Sequence, residues 1–292
     1  MVRIATVRDG ASNFVAVERD GALYRWNDVF PGHRVASALD LLQQEGLSHL
    51  RSAYEGARPL DGHHELGAPF PRPPRDLICL GKNFTAHATE FATAMGEAEE
   101  IPTAPIVFAK ATTSVCGPRD VVVVDPDVTQ AVDYEVELAV VIGRRGRYIP
   151  ADRAYEHVAG YTVLNDLTAR DLQQRHGQWF LGKSLDTFGP MGPVFVTADE
   201  IPDPSALTLS SWVDGELRQQ ALASQMIFDI PAVLTIVSRI MTLELGDIIA
   251  MGTPAGVGIG FDPPRYLRDG MIVVAEIDGI GRLENRISFR RG

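Results

Sequence analysis

The chain has 292 residues, 45% of them hydrophobic and 22% charged, with a formal net charge of −11. This length allows one large domain or a large and a small one, and the composition is that of an ordinary globular protein. The acidic balance argues against nucleic acid or an anionic membrane as the main partner, while leaving room for an anionic substrate in a locally cationic pocket. The two cysteines, Cys79 and Cys116, have no metal-ligand spacing and read as reduced thiols, small buried apolar residues rather than nucleophiles. The opening Met-Val-Arg-Ile-Ala-Thr-Val lacks the basic start and apolar core of a signal peptide, and the longest apolar run, Leu138 to Ile142, is too short to span a bilayer. The expected location is therefore cytoplasmic.

Residues 2–7 and 14–18 alternate weakly as strands, Arg19-Asp20-Gly21 is a hairpin turn, and Leu23 to Trp26 reads as a returning strand. Val35, Leu39 and Leu42 recur at helical spacing with Gly46 as a stop, and a second short helix is expected from Leu47 to Tyr54. This small β-rich unit shows no chemistry, and its His63-His64 pair reads as loop polarity. Pro69-Phe70-Pro71-Arg72-Pro73-Pro74 is a stiff extended linker that divides a domain at 1–70 from one at 71–292.

Past the linker, Asp76 to Leu80 predicts a short buried strand ending at Gly81. His87 and Glu90 follow, three residues apart and so neighbours on one face of a helix. A carboxylate beside an imidazole fixes its tautomer and raises its basicity, as a general base requires, although a surface contact would look the same. Phe91 to Thr103, rich in small and acidic residues, reads as a mobile lid. Strands are expected at Pro105–Lys110 and Val121–Val124.

The stretch Val132 to Gly143 then alternates, with Val132, Tyr134, Val136 and Leu138 on one side and Asp133, Glu135 and Glu137 on the other. Alone, the acidic side is most simply a solvated face, since a buried carboxylate row needs a cation. Further on, the pattern predicts a short helix at Ala151–Val158, a strand at Gly160–Asp166, and a helical turn over Leu167–Gln173 capped by Thr168. The last third predicts strands at Leu207–Val213, Asp247–Met251 and Met271–Ile277, with turns at Asp214-Gly215 and Asp278-Gly279 and one helix from Pro231 to Met241. The Gly/Pro loop Met251–Gly258 lacks the lysine and following helix of a P-loop. With no strand–GxGxxG–helix unit and no G-x-S-x-G, nucleotide binding and serine hydrolysis are both disfavoured.

Six pieces, taken in order, resemble the fumarylacetoacetate hydrolase family over residues 76–290. They are Gly81-Lys-Asn-Phe-Thr-Ala-His-Ala-Thr-Glu90, Val132-Asp-Tyr-Glu-Val-Glu-Leu-Ala139, Gly160-Tyr-Thr-Val-Leu-Asn-Asp-Leu-Thr-Ala-Arg-Asp171, Gly182-Lys-Ser-Leu-Asp-Thr-Phe-Gly-Pro190, Leu245-Gly-Asp-Ile-Ile-Ala-Met-Gly-Thr-Pro254 and Ile277-Asp-Gly-Ile-Gly281. The resemblance implies a mainly β (α+β) protein, a mixed β-sandwich roll with a small β-rich N-terminal domain, assembled as a homodimer. It further implies Mg²⁺ or Mn²⁺ held by Glu135, Glu137 and Asp166, in keeping with the preference of hard cations for oxygen ligands. Asp133 falls outside that ligand set and is expected in a supporting role or on a loop.

By the same resemblance the substrate is a small anionic 2,4-dioxo acid, of the acylpyruvate or fumarylpyruvate type. His87, oriented by Glu90, would activate a water, and C–C cleavage would release pyruvate and a carboxylic acid. Lys183 would neutralise developing charge, and Gln173, Thr253, Gly252 and Lys82 would contact the substrate, with Lys110 a further anion contact. Decarboxylation of a β-keto acid such as oxaloacetate, or isomerisation of an unsaturated keto-diacid, would use the same enolate chemistry. A non-catalytic metal- or ligand-binding member of the fold is the alternative from another class.

Overall fold

The computed structural model describes residues 3–10, 12–30, 35–44, 57–96, 98 and 100–291. The Gly46 stop expected for the first helix and the second helix expected at 47–54 lie outside these. Among the described residues the backbone forms an 11-stranded mixed sheet, a five-stranded sheet and a two-stranded ribbon. The large sheet has Val136–Ile142 near its middle, antiparallel to Val158–Asn165 on one side and to Ile248–Ala250 on the other. Leu77–Gly81 and the edge strand Ile106–Lys110 complete that side. On the other side Gly189–Thr197 pairs with Arg3–Asp9, so the N-terminal hairpin extends the same sheet. The boundary expected at residue 70 therefore falls within one continuous sheet.

Two apolar layers flank the central strand, and its alternation assigns residues to each. Leu138, Val140 and Ile142 pack with Leu209, Ala275, Ile277 and Leu283 from the five-stranded sheet. Ala139 and Val141 pack instead with Trp26, Phe30 and Leu41 from the N-terminal unit. All seven residues of Val136–Ile142 are consequently buried, a sandwich of sheet on sheet with a third layer behind. The hairpin turns form where expected, with positive φ at Asp20 and Gly21 and again at Asp214 and Gly215, the geometry that matches strand twist. The predicted late helix is Ile230–Ile240, begun by the Asp229 side chain accepting from the Ala232 N–H and burying Val233, Leu234 and Val237.

Three local expectations are corrected. The acidic stretch is not one strand: Val132–Asp133 pairs with Thr168–Ala169, and the main strand resumes at Val136. Thr168 does not cap the next helix, Arg170–Arg175, whose N-cap is Ala169; its hydroxyl donates to the Asp166 carbonyl. The first part of the expected lid, residues 91–95, belongs to the helix Thr85–Met95, which ends at Gly96 in the left-handed conformation. Phe91 anchors that helix by packing against Val257 and Ile259, contacts that a window of small and acidic residues does not reveal. Among the described residues no helix is long and apolar enough to cross a membrane.

Candidate active site

The break between Asp133 and Val136 turns Glu135 towards the end of the neighbouring strand. The Glu135 N–H donates to the Asn165 side chain at 3.0 Å and its carbonyl accepts from the Asp166 N–H at 2.8 Å. Glu137 lies two residues into the strand, so Glu135, Glu137 and Asp166 converge with carboxylate oxygens within 4.8 Å of one another. All three are buried, which overturns the solvated-face reading.

Cations meet them from three elements. The Lys183 ammonium, at the end of the helix Phe180–Lys183, donates to Glu135 Oε2 and Asp166 Oδ2, each at 2.7 Å. Lys110 Nζ lies 2.8 Å from Asp166 Oδ1, and Arg170 Nη2 lies 2.7 Å from Glu135 Oε1. Lys110 is thus a fully buried structural cation rather than a contact for a bound anion.

The buried network holds four carboxylates, Asp133, Glu135, Glu137 and Asp166, against three cations, Lys110, Arg170 and Lys183. The imbalance settles on Glu137. Burial, reinforced by Asp166 and Glu135, raises its pKa well above the ordinary carboxylate value. For Glu135 burial acts in the same sense, but Lys183, Arg170 and His87 outweigh it and bring its pKa down to about 2. Burial works against charge on Lys183 too, and Asp166 and Glu135 overcome it to hold the ammonium charged. Glu137 Oε2 accepts from the Gly252 N–H at 2.9 Å, whereas Oε1 is buried with no protein partner. An orphaned carboxylate oxygen beside two more hard oxygen donors, without thiolate or imidazole, fits a divalent cation of the Mg²⁺ or Mn²⁺ type.

Beside the cluster, His87 is buried on the helix Thr85–Met95, and its Nδ1 is 3.3 Å from Glu90 Oε2. Glu90 Oε1 accepts from the Gly256 N–H at 2.9 Å, so the carboxylate is held between helix and loop. With Nδ1 engaged, Nε2 is the nitrogen available for proton exchange. His87 opens on a narrow pocket lined also by Lys82, Glu135, Arg170, Gln173, Lys183 and Thr253. Phe91, Phe108 and Trp179 form its apolar wall. The Trp179 ring lies where a Cβ on Gly81 would stand, 2.2 Å from the indole Cζ3, so only glycine fits there.

The structure therefore gathers His87, Glu90, Lys183, Gln173, Thr253, Gly252, Lys82, Glu135, Glu137 and Asp166 about one cavity. Gln173 accepts from Arg170 at 3.1 Å and Thr253 from Gln219 at 2.7 Å, leaving the Gln173 amide and Thr253 hydroxyl hydrogens to donate into the pocket. Sequence reasoning missed the aromatic wall and Arg170. Arg170 lay inside a quoted motif, but at the start of a polar helix beside Asp171, where nothing in the local pattern marked it as buried. Trp179, next to the Gly182-Lys183 segment, had no charge or spacing to mark it. Cys79 and Cys116 are buried, and burial pushes both thiols up, that of Cys116 to about 12, which leaves neither as a nucleophile.

A mixed β-sandwich that brings a buried carboxylate cluster beside a His–Glu pair holds the residue types of a metal-assisted acid–base enzyme. The chain belongs to the fumarylacetoacetate hydrolase family: the model of the Fumarylacetoacetate (FAA) hydrolase C-terminal domain matches residues 76–288. Oxaloacetate tautomerase YisK of Bacillus subtilis is 52% identical over 223 residues, covering 76% of this chain and 73% of that protein. The mitochondrial oxaloacetate tautomerase FAHD2B of Bos taurus is 44% identical over 222 residues, covering 75% and 68%. Among solved structures, fumarylacetoacetate hydrolase (EaFAH) from the psychrophile Exiguobacterium antarcticum superposes with a TM-score of 0.89 at 41% identity, covering 99% of this chain and 100% of that one.

Proposed function

We propose that the chain interconverts the keto and enol forms of oxaloacetate or a closely similar small 2-oxo-diacid. The observation that carries this reading is the pocket itself. One proton-transfer group, His87 backed by Glu90, faces a narrow cavity whose lining includes Lys82, Arg170 and Lys183. Such a site suits a compact dianion, and moving a proton between carbon and oxygen requires neither a leaving group nor a water nucleophile. The two tautomerases at 52% and 44% identity support the same substrate class.

In this mechanism His87 Nε2 takes a proton from the carbon between the ketone and the distal carboxylate, and the electron pair of that C–H bond becomes the enolate. Glu90 stabilises the imidazolium that forms, and the imidazolium returns the proton to the enolate oxygen. The Gln173 amide and the Thr253 hydroxyl hold the substrate by donation, and Lys82 and Arg170 attract its carboxylates. Phe91, Phe108 and Trp179 keep water from the reacting carbon. Bound by Glu135, Glu137 and Asp166, a divalent cation would supply Lewis-acid stabilisation of the enolate charge.

Hydrolysis of an acylpyruvate is a second reading. It is favoured by Glu90, which makes His87 competent to activate a water, and by the likeness to EaFAH. A panel assay separates the two. Protein stripped with a chelator and reloaded with Mg²⁺ or Mn²⁺ is given enol-oxaloacetate, keto-oxaloacetate and a series of acylpyruvates. Decay of the enol's ultraviolet absorbance, pyruvate and CO₂ are then followed. We expect metal-dependent tautomerisation, abolished by His87→Ala, with no pyruvate release. Acylpyruvate cleavage without accelerated keto–enol exchange would overturn the tautomerase reading in favour of hydrolysis, and CO₂ from oxaloacetate would overturn it in favour of decarboxylation.

A further inference from the structure

The geometry points to Asp133 as the positioning residue for the His87–Glu90 pair, acting through the loop 256–260. This rests on the proposed role of that pair in proton transfer. Asp133 is fully buried two residues before Glu135, yet it is not one of the converging carboxylates. Both of its oxygens are used. Oδ1 accepts from the Gly258 N–H at 2.6 Å and the Tyr134 N–H at 2.9 Å. Oδ2 accepts from the Ile259 N–H at 3.0 Å and from Arg170 Nε at 2.9 Å. A carboxylate that takes four donors in the interior fixes whatever carries them.

The loop it fixes is the one that holds Glu90. Tyr134, the neighbour of Asp133, donates its hydroxyl to the Gly256 carbonyl at 2.9 Å, and the Gly256 N–H donates to Glu90 Oε1 at 2.9 Å. At the other end of the loop, Gly260 lies flat against Glu90. A Cβ there would stand 2.1 Å from Oε1 and 2.3 Å from Cδ. Asp133 thus clamps residues 258 and 259, the loop presents 256 and 260 to Glu90, and Glu90 sets the His87 ring. Arg170, held through its Nε by Asp133, also lies 2.7 Å from Glu135 through Nη2, but the backbone donors tie Asp133 to the loop.

Asp133→Asn tests the idea at nearly constant shape, because the amide would turn two hydrogens towards the Arg170 and Ile259 donors. Gly260→Ala tests it without touching Asp133, since it acts only through the collision with Glu90. Steady-state tautomerisation kinetics, metal binding by calorimetry and the Asp133→Asn/Glu90→Gln double variant are measured with the full chain. If Asp133 works through Glu90, each single variant lowers kcat by about 10–100-fold while KM and metal affinity stay within about threefold, the pattern of a misplaced catalytic group. The double variant should then be no slower than Glu90→Gln alone.

Near-normal kcat in Asp133→Asn, a multiplied loss in the double variant, or a loss that falls on metal affinity instead would overturn the proposal. Should Asp133→Asn fail to fold, Gly260→Ala decides: unchanged kcat overturns it, and reduced kcat at constant KM supports it. Full activity in Glu90→Gln would instead remove the proton-transfer reading itself, and the positioning role with it.

Discussion

Replacing Lys183 by methionine tests whether charge balance holds the carboxylate cluster together. The wild-type network sets four buried carboxylates against three buried cations, and the raised pKa of Glu137 lets one proton cover the difference. Methionine fills most of the volume of the lysine stem, so the loss is mainly electrostatic. Two charge-assisted hydrogen bonds of 2.7 Å disappear, leaving Glu135 and Asp166 short of a counter-charge. Removing one partner of a buried ion pair costs about 3–5 kcal/mol. At roughly 2 °C per kcal/mol for a chain of this size, Tm should fall by about 6–10 °C in the presence of a chelator.

A divalent cation restores two charges, and binding to the folded state alone adds about 4 kcal/mol at a thousand times Kd. Saturating Mg²⁺ or Mn²⁺ should therefore raise the Tm of Lys183→Met more than that of the wild type and close at least half of the gap. Thermal unfolding followed by circular dichroism, with chelator and with each metal, reads both effects. A variant within about 2 °C of wild type in chelator, or one that gains no more from metal than wild type does, would refute the charge-balance argument.

Two further outcomes follow from the same geometry. Glu137, whose carboxyl is raised by burial and by Asp166 and Glu135, keeps a proton in the folded state that the unfolded chain releases near its ordinary pKa of about 4.3. Its contribution to stability is therefore complete below that value and is lost as pH rises towards the folded pKa. Metal-free protein should lose stability over that range, and metal binding should release close to one proton; calorimetry in buffers of different ionisation enthalpy that finds no release would count against it. Trp179 closes the pocket against Gly81 and Phe108, with the Phe108 and Trp179 ring centroids 5.2 Å apart. Trp179→Ala should raise turnover of 2-oxo acids with bulkier distal groups by at least about 10-fold relative to oxaloacetate, the scale on which a pocket discriminates one or two methylenes; an unchanged ratio in a competition assay would show that the limit lies elsewhere.

The acidic strand shows what a sequence can and cannot convey about this site. Period-2 alternation grouped residues 136–142 by face, because side-chain direction is a local property of extended backbone, but it ran through the break at Tyr134 and Glu135 and placed Asp133 with a cluster it does not join. It could not say what covers each face. The cover over Glu135 and Asp166 is Lys183, which is 48 and 17 residues away, and that over Asp133 is Gly258 and Ile259, 125 and 126 residues away. Burial set by such distant contacts leaves no periodic trace, so a solvated face and a charged interior read alike until motifs from several strands are laid side by side.

The same limit separates the family from the reaction. His87, Glu90, Glu135, Glu137, Asp166 and Lys183 are polar residues in recognisable local contexts, and they were legible. Gly81, Phe91, Phe108 and Trp179, which fix the size of the pocket, are apolar or bare and look like any other packing residues. Enolate chemistry is common to the tautomerase and hydrolase readings, whereas the room left beyond the reacting carbon is not. The close approach of Phe91, Phe108 and Trp179 around His87 supports the proposed movement of a proton over the expulsion of an acyl group.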